Sequence, residues 1–117
     1  MKIKASNATG PALDWLVVYL QTLAATGGKT ILTEDLMRQA VKNGMASPST
    51  DWAQGGPIIE REGLHLRKSG CKWQCDYWND ITLNFDTSYG STPLIAAMRR
   101  YVASKLGDDV EIPNGLS

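Results

Sequence analysis

Three short runs of alternating hydrophobicity in the second half of the chain set the tightest limit on its fold. Leu64 and Leu66 open the pattern, Cys71, Trp73, Cys75 and Tyr77 continue it, and Ile81, Leu83 and Phe85 close it. A period of two is the mark of strands that lay one face on a core. The opposite face would carry His65, Arg67, Lys72, Gln74, Asp76, Thr82, Asn84 and Asp86. The breaks between runs, Lys68-Ser69-Gly70 and Trp78-Asn79-Asp80, are short enough for hairpins. The simplest arrangement is therefore an antiparallel three-stranded meander.

Helical patterns flank these runs. Thr9, Gly10 and Pro11 open a first helix, with proline where its missing N–H is harmless, and Leu13, Leu16, Val17, Leu20 and Leu23 recur at helical spacing up to Gly27 and Gly28. Thr33 can cap a shorter helix to about Asn43, with Leu32 and Met37 as a hydrophobic staple, Leu36, Met37, Ala40 and Val41 as its stripe, and Gly44 as terminator. Ser91, Thr92 and Pro93 start a last helix that runs to Leu106 before Gly107. Its stripe is Leu94, Ile95, Met98, Tyr101, Val102 and Leu106, with Arg99 and Arg100 nearer the edge. The predicted fold class is α+β: a three-stranded antiparallel meander packed against N- and C-terminal helices, with a short extra helix and a long Gly/Ser/Trp loop. A chain of 117 residues has room for one core, so residues 1–117 are read as one domain, with the acidic exit from Asp108 onward as a loosely held tail over 108–117.

Charge and cysteine content remove several function classes. Lys plus Arg and Asp plus Glu number 12 each, so the basic footprint of a generic duplex-DNA binder is missing. No apolar run approaches the ~20 residues that span a bilayer, and the start MKIKASNATG has no signal-like apolar stretch, so a cytosolic protein without membrane contact is expected. Cys71 and Cys75 stand four apart on one predicted strand. At about 3.3 Å per residue their Cα atoms would be ~13 Å apart, against roughly 4.4–6.8 Å in a disulfide. Both are read as core thiols. With His65 as the only histidine, they offer too few ligands for a zinc site, and no metal or cofactor is implied.

The segment SPSTDWAQGGPIIEREG, Ser47 to Gly63, has no core-building pattern and reads as a binding loop. Gly55, Gly56 and Pro57 would leave amides open at the start of a short helix, where the dipole favours an anion. The start at Ser91, Thr92 and Pro93 offers the same chemistry. If the two face each other, Ser47, Ser49, Thr50, Asp51, Trp52, Gln54, Gly55, Gly56, Ser91 and Thr92 line one pocket, with Arg100 as its cation. Against this, hydroxyls and Asp51 are common caps, and Asp51 with Gln54 has capping-box spacing. Trp52 and Trp78 fall in turn contexts, where an indole suits stacking or partner anchoring, whereas Trp73 and Trp15 read as packing. Arg61, Arg67, Lys68 and Lys72 interleave with Glu60, Glu62 and Asp76 as a mixed solvated surface, and His65 as a surface histidine. No nucleophile with a base, carboxylate pair or metal set is visible, so an enzyme is not expected.

The stretches MKIKASNATGPALDWLV, SPSTDWAQGGPIIEREG and YGSTPLIAAMRRYVASKLGDDVEIP together resemble the NinX-like family of small proteins from temperate bacteriophages and prophages. The likeness covers roughly half of the chain; residues Leu23 to Met45 depart from the pattern, as an insertion would. The helix, meander and helix order also resembles a small phage α/β sandwich domain, a likeness of architecture alone. Family membership implies a phage accessory protein acting in the host cytoplasm and carries no activity with it. Joined to the loop chemistry, it suggests a non-enzymatic protein that binds and sequesters a small anionic, nucleotide-derived ligand of host defence signalling. The alternative is a protein-interaction module whose Trp52- and Trp78-bearing segments plug a host protein. An exposed strand edge or helix face would suit a homodimer.

Overall fold

The computed structural model describes residues 1–25, 34–113 and 116. Its elements are β1 (Lys2–Lys4), a 3-10 turn (Ala5–Asn7), α1 (Gly10–Ala25), α2 (Glu34–Lys42), α3 (Trp52–Glu62), β2 (His65–Ser69), β3 (Lys72–Asn79), β4 (Asn84–Gly90), α4 (Pro93–Leu106) and β5 (Asp109–Glu111). The fold is α+β, with the meander in the order β2-β3-β4 and α4 lying across its inner face.

Helix α4 begins and ends where local chemistry directs. The Thr92 hydroxyl accepts the Ile95 N–H at 3.2 Å, Pro93 takes the first helical position, and Gly107 closes the helix at φ 79°. Leu94, Met98, Tyr101 and Val102 are buried against α1, whose Leu13, Leu16, Val17 and Leu20 form the other half of the core. Helix α2 adds Met37 and Val41, while Leu36, expected on that stripe, is 50% exposed. The predicted stop at Gly27 and Gly28 and the staple and cap at Leu32 and Thr33 lie outside the described residues.

Strand β4 corrects the predicted meander. It starts at Asn84, so Ile81 and Leu83 belong to the connection, and its facing is shifted by one residue from the expectation. Phe85 and Tyr89 point outward, while Asp86, Ser88 and Gly90 face α4. The cause is close approach at the end of the strand: a Cβ on Gly90 would lie 2.5 Å from the Ala96 nitrogen, so only glycine fits under the helix at that point. A slip of one residue inverts every side chain of a strand, which is why Phe85 is outside.

Two further expectations change. The exit from α4 is docked: β5 pairs antiparallel with β1, and Val110, Ile112 and Leu116 are buried. Cys75 is a core thiol, but Cys71 sits exposed in the β2–β3 turn, and both are free.

Candidate functional site

The Ser47–Gly63 segment is mostly helix. Asp51 caps α3 by accepting the Ala53 N–H at 3.0 Å, and Gly63 ends it in the left-handed region at φ 66°. Gly55 and Gly56 are therefore helical, and the Gly55 N–H already donates to the Asp51 carbonyl at 2.9 Å. The open amides expected beside Pro57 do not exist. Two packing demands explain glycines that read locally as a loop. A Cβ on Gly55 would meet the Pro48 oxygen at 2.5 Å and Leu94 Cδ2 at 2.6 Å. Gly56 precedes Pro57, and a side chain before a helical proline clashes with its ring.

Gln54 ties down the strand of chain ahead of α3. Its amide oxygen accepts the Ser47 N–H at 2.9 Å, and its NH2 donates to the Met45 carbonyl at 3.2 Å and the Asp51 carboxylate at 3.0 Å. The Ser47 carbonyl in turn accepts the Thr50 and Asp51 N–H groups. Ser47, Asp51 and Gln54 thus build the scaffold of the segment. Ser49 is drawn inward, 1% exposed, where its N–H donates to the Asp14 carboxylate at 2.8 Å. Its hydroxyl is buried beside the same carboxylate. Burial pushes the Asp14 carboxyl up from its ordinary range, and the contacts with Ser49 offset this only in part.

The two segments do converge. Ser49, Thr50 and Trp52 share a cleft of about 200 Å³ with Thr92, Pro93, Leu94 and Ile95. The first turns of α3 and α4 meet there, and Trp52 stands 54% exposed at its wall. Among the proposed site residues, the cleft gathers Ser49, Thr50, Trp52 and Thr92, and leaves out Ser47, Asp51, Gln54, Gly55, Gly56, Ser91 and Arg100.

Arg100 is a clear correction. It is 9% exposed, on the side of α4 that faces the sheet, and its field reaches Cys75 and Asp108. Burial pushes the Cys75 thiol up to about 12 against the opposing pull of that guanidinium. The Arg100 Nε is buried without a hydrogen-bond partner. Its neighbour Arg99 bridges the Ala8 and Tyr89 carbonyls at 2.7 and 2.8 Å. Four other cations from the sequence reading are also engaged within the chain: Arg61 with Glu62 at 3.1 Å, Arg67 with Asp76 at 3.4 Å, and Lys68 and Lys72 over the rings of Trp73 and Tyr89. At the cleft the start of α4, capped by the neutral Thr92, contributes about half a positive unit charge, whereas the start of α3 is capped by the Asp51 carboxylate.

A larger hollow, about 340 Å³, opens between α1, the end of α4 and β5. Trp15 and Tyr19 stack in its wall with centroids 5.4 Å apart, and the Trp15 indole N–H is buried without an acceptor. Sequence reading missed it, because the docking of the C-terminal residues that completes it leaves no local signal. Asp109 and Glu111 on its rim disfavour an anion there. Among the described residues no three potential metal ligands gather, and no helix is long and apolar enough to cross a membrane.

Fold and cleft together define a small α+β protein with a shallow, Trp-walled recess where two helix starts meet. The family model for bacteriophage P22 NinX matches residues 4–105, and the chain belongs to that phage family. No curated protein matches it.

Proposed function

We propose that this phage protein is a non-enzymatic accessory factor that binds a small, anionic, nucleotide-derived ligand in the Trp52 cleft and withholds it from host signalling. The observation that carries the reading is the meeting of exposed Trp52 with the α4 start in one cleft that Ser49, Thr50 and Thr92 also line. A planar base lies against the indole, and its anionic group reaches the start of α4, because the Ala53, Gln54 and Gly55 N–H groups at the start of α3 are already held by Asp51. Thr50 and Thr92 supply hydroxyls at the rim. Phage membership supplies the context in which removal of a host nucleotide signal is useful. The host cytoplasm, where such signals act, is the compartment this reading requires.

The test is native mass spectrometry of protein purified from infected cells, followed by calorimetry with mono-, di- and cyclic nucleotides. A nucleotide-derived mass released on denaturation is expected, and Trp52→Ala should weaken its binding by about fivefold to a hundredfold, the loss of one base–indole stack of ~1–3 kcal/mol. Arg100→Ala should lower stability and leave the cleft contacts in place. If no nucleotide binds, or if Trp52→Ala binds as well as the parent, the reading fails. For docking to a protein, the specific observation is a different surface, around Trp78, because Trp78 lies on β3 and not beside Trp52.

A further inference from the structure

The β3–β4 hairpin ends in an apolar tip that the core does not use. Ile81 is 92% and Leu83 72% exposed, and behind them Trp78 and Phe85 meet edge to face at 5.1 Å, with His65 6.1 Å from Phe85. A contiguous group of this kind marks an interaction surface more often than isolated exposed residues do. The backbone holds it in place. Asn79 Oδ1 accepts the Ile81 and Thr82 N–H groups at 2.9 and 3.2 Å, the Asn79 carbonyl accepts the Leu83 N–H at 2.8 Å, and Asn79 Nδ2 donates to Asp86 at 3.0 Å. Leu83 adopts φ 56°, a left-handed conformation that suits glycine or asparagine. A leucine kept there with its side chain in solvent gains nothing from its own fold.

Charge selects the partner. The connection from Asn79 to Asn84 carries exposed Asp80 and no lysine or arginine, while Asp86 lies on the opposite face and accepts from Asn79. An acidic, apolar tip is repelled by nucleic acid and by anionic lipid, and two such tips repel each other. We infer that the Ile81–Leu83 tip docks into a protein partner that offers an apolar groove rimmed by lysine or arginine. Trp78 and Phe85 form the shoulder of the contact, and the Asn79 clamp presents it with little loss of freedom on binding. The inference is independent of the Trp52 cleft.

A benzophenone amino acid at position 81 or 83, photolysed in infected cells, tests this, with the same probe at Met45, which is 75% exposed elsewhere, as background. The expected result is one protein crosslinked from 81 and 83 but not from 45, at a peptide that maps to an apolar groove flanked by basic residues. Charge reversal by Asp80→Lys should lower that yield at least fivefold, and Leu83→Gly should do the same while circular dichroism stays unchanged. A crosslink to a second copy, co-sedimentation with phosphatidylglycerol vesicles, a product indifferent to Asp80→Lys, or no product above the Met45 background each overturns the proposal.

Discussion

The Trp52 cleft and the hairpin tip are both exposed to solvent and both present a tryptophan, yet they are built in opposite ways. The cleft is the outer skin of the core: Ser49 is buried on Asp14, Gly55 is pressed between Pro48 and Leu94, and Gln54 fastens the approach to α3. The tip stands away from the core and is fixed by the hydrogen bonds of one residue, Asn79. A surface continuous with the core cannot change without a cost in stability. A projecting surface can be altered almost freely, so an apolar composition there calls for a reason outside the fold.

The largest expected effect is at Gly55. Alanine would place a Cβ within 2.6 Å of Leu94 Cδ2 and closer still to a backbone oxygen, so α3 must move off α4. Overpacking of this kind costs about 1–3 kcal/mol, and Gly55→Ala should fall at the upper end and spoil the cleft as well. Gly56→Ala meets only Trp52 Cε3 at 3.9 Å. Its gain in helix propensity is opposed by the pre-proline clash, so its effect should stay within ~1 kcal/mol. Urea midpoints of the two variants read this contrast directly. If both variants are equally stable, the cleft is not anchored at Gly55.

That pair of glycines also shows where sequence reading stops. Gly-Gly-Pro is locally a breaker, and nothing within the segment announces that Pro48 and Leu94 will crowd one glycine and Pro57 excuse the other. Thr92, Pro93 and Gly107 were legible because capping is local chemistry, and they gave both ends of α4. The meander was legible in kind, but the facing of β4 was not, since it is set by Gly90 against Ala96 across two elements. The phase of α4 on the sheet likewise decides that Arg100 goes inward, and a helical wheel without a partner has no means of showing it. Of the proposed site, the sequence raised the meeting of the two segments only as a condition, on a helix start expected at Gly56 and Pro57 and found at Trp52, and it did not reveal the withdrawal of Gly55, Gly56 and Arg100.

Asp14 comes next in size. Asp14→Ala leaves the buried Ser49 N–H without its acceptor, a loss of about 1–3 kcal/mol. Asp14→Asn keeps an oxygen for that N–H and should lose less. The two also separate in pH dependence. Because burial raises the folded-state pKa of Asp14, the folded protein holds this proton more tightly than the unfolded chain. Its contribution therefore falls as pH rises from the ordinary value near 4 through the raised one, and the parent should gain on Asp14→Asn as pH is lowered across that window. Glu62 works in the opposite sense: burial pushes its carboxyl up, but Lys105 at 2.9 Å and Arg61 at 3.1 Å outweigh that and lower it, so its contribution is lost as pH falls. Urea titrations from pH 4 to pH 7.5 on the parent and Asp14→Asn isolate the first effect by difference, because Glu62 is common to both. A difference that does not vary with pH would show that Asp14 is not desolvated under the cleft.

The smallest effect, and the most pointed for the comparison, is at Leu83. If the tip serves only the hairpin, its leucine should be worth keeping for stability. A left-handed conformation costs a non-glycine residue roughly 1–2 kcal/mol, and glycine returns part of that through its freer unfolded chain, ~0.4–1 kcal/mol. With 72% of the side chain in solvent there is little burial to set against the relief, so Leu83→Gly should raise stability by a few tenths to about 1 kcal/mol. Thermal denaturation resolves a change of that size in a domain of this length. A gain in stability combined with loss of partner crosslinking would mean that the residue is held against the interest of the fold. A loss of stability would instead show Leu83 packing on its own hairpin, and the distinction between core-bound cleft and projecting tip would disappear.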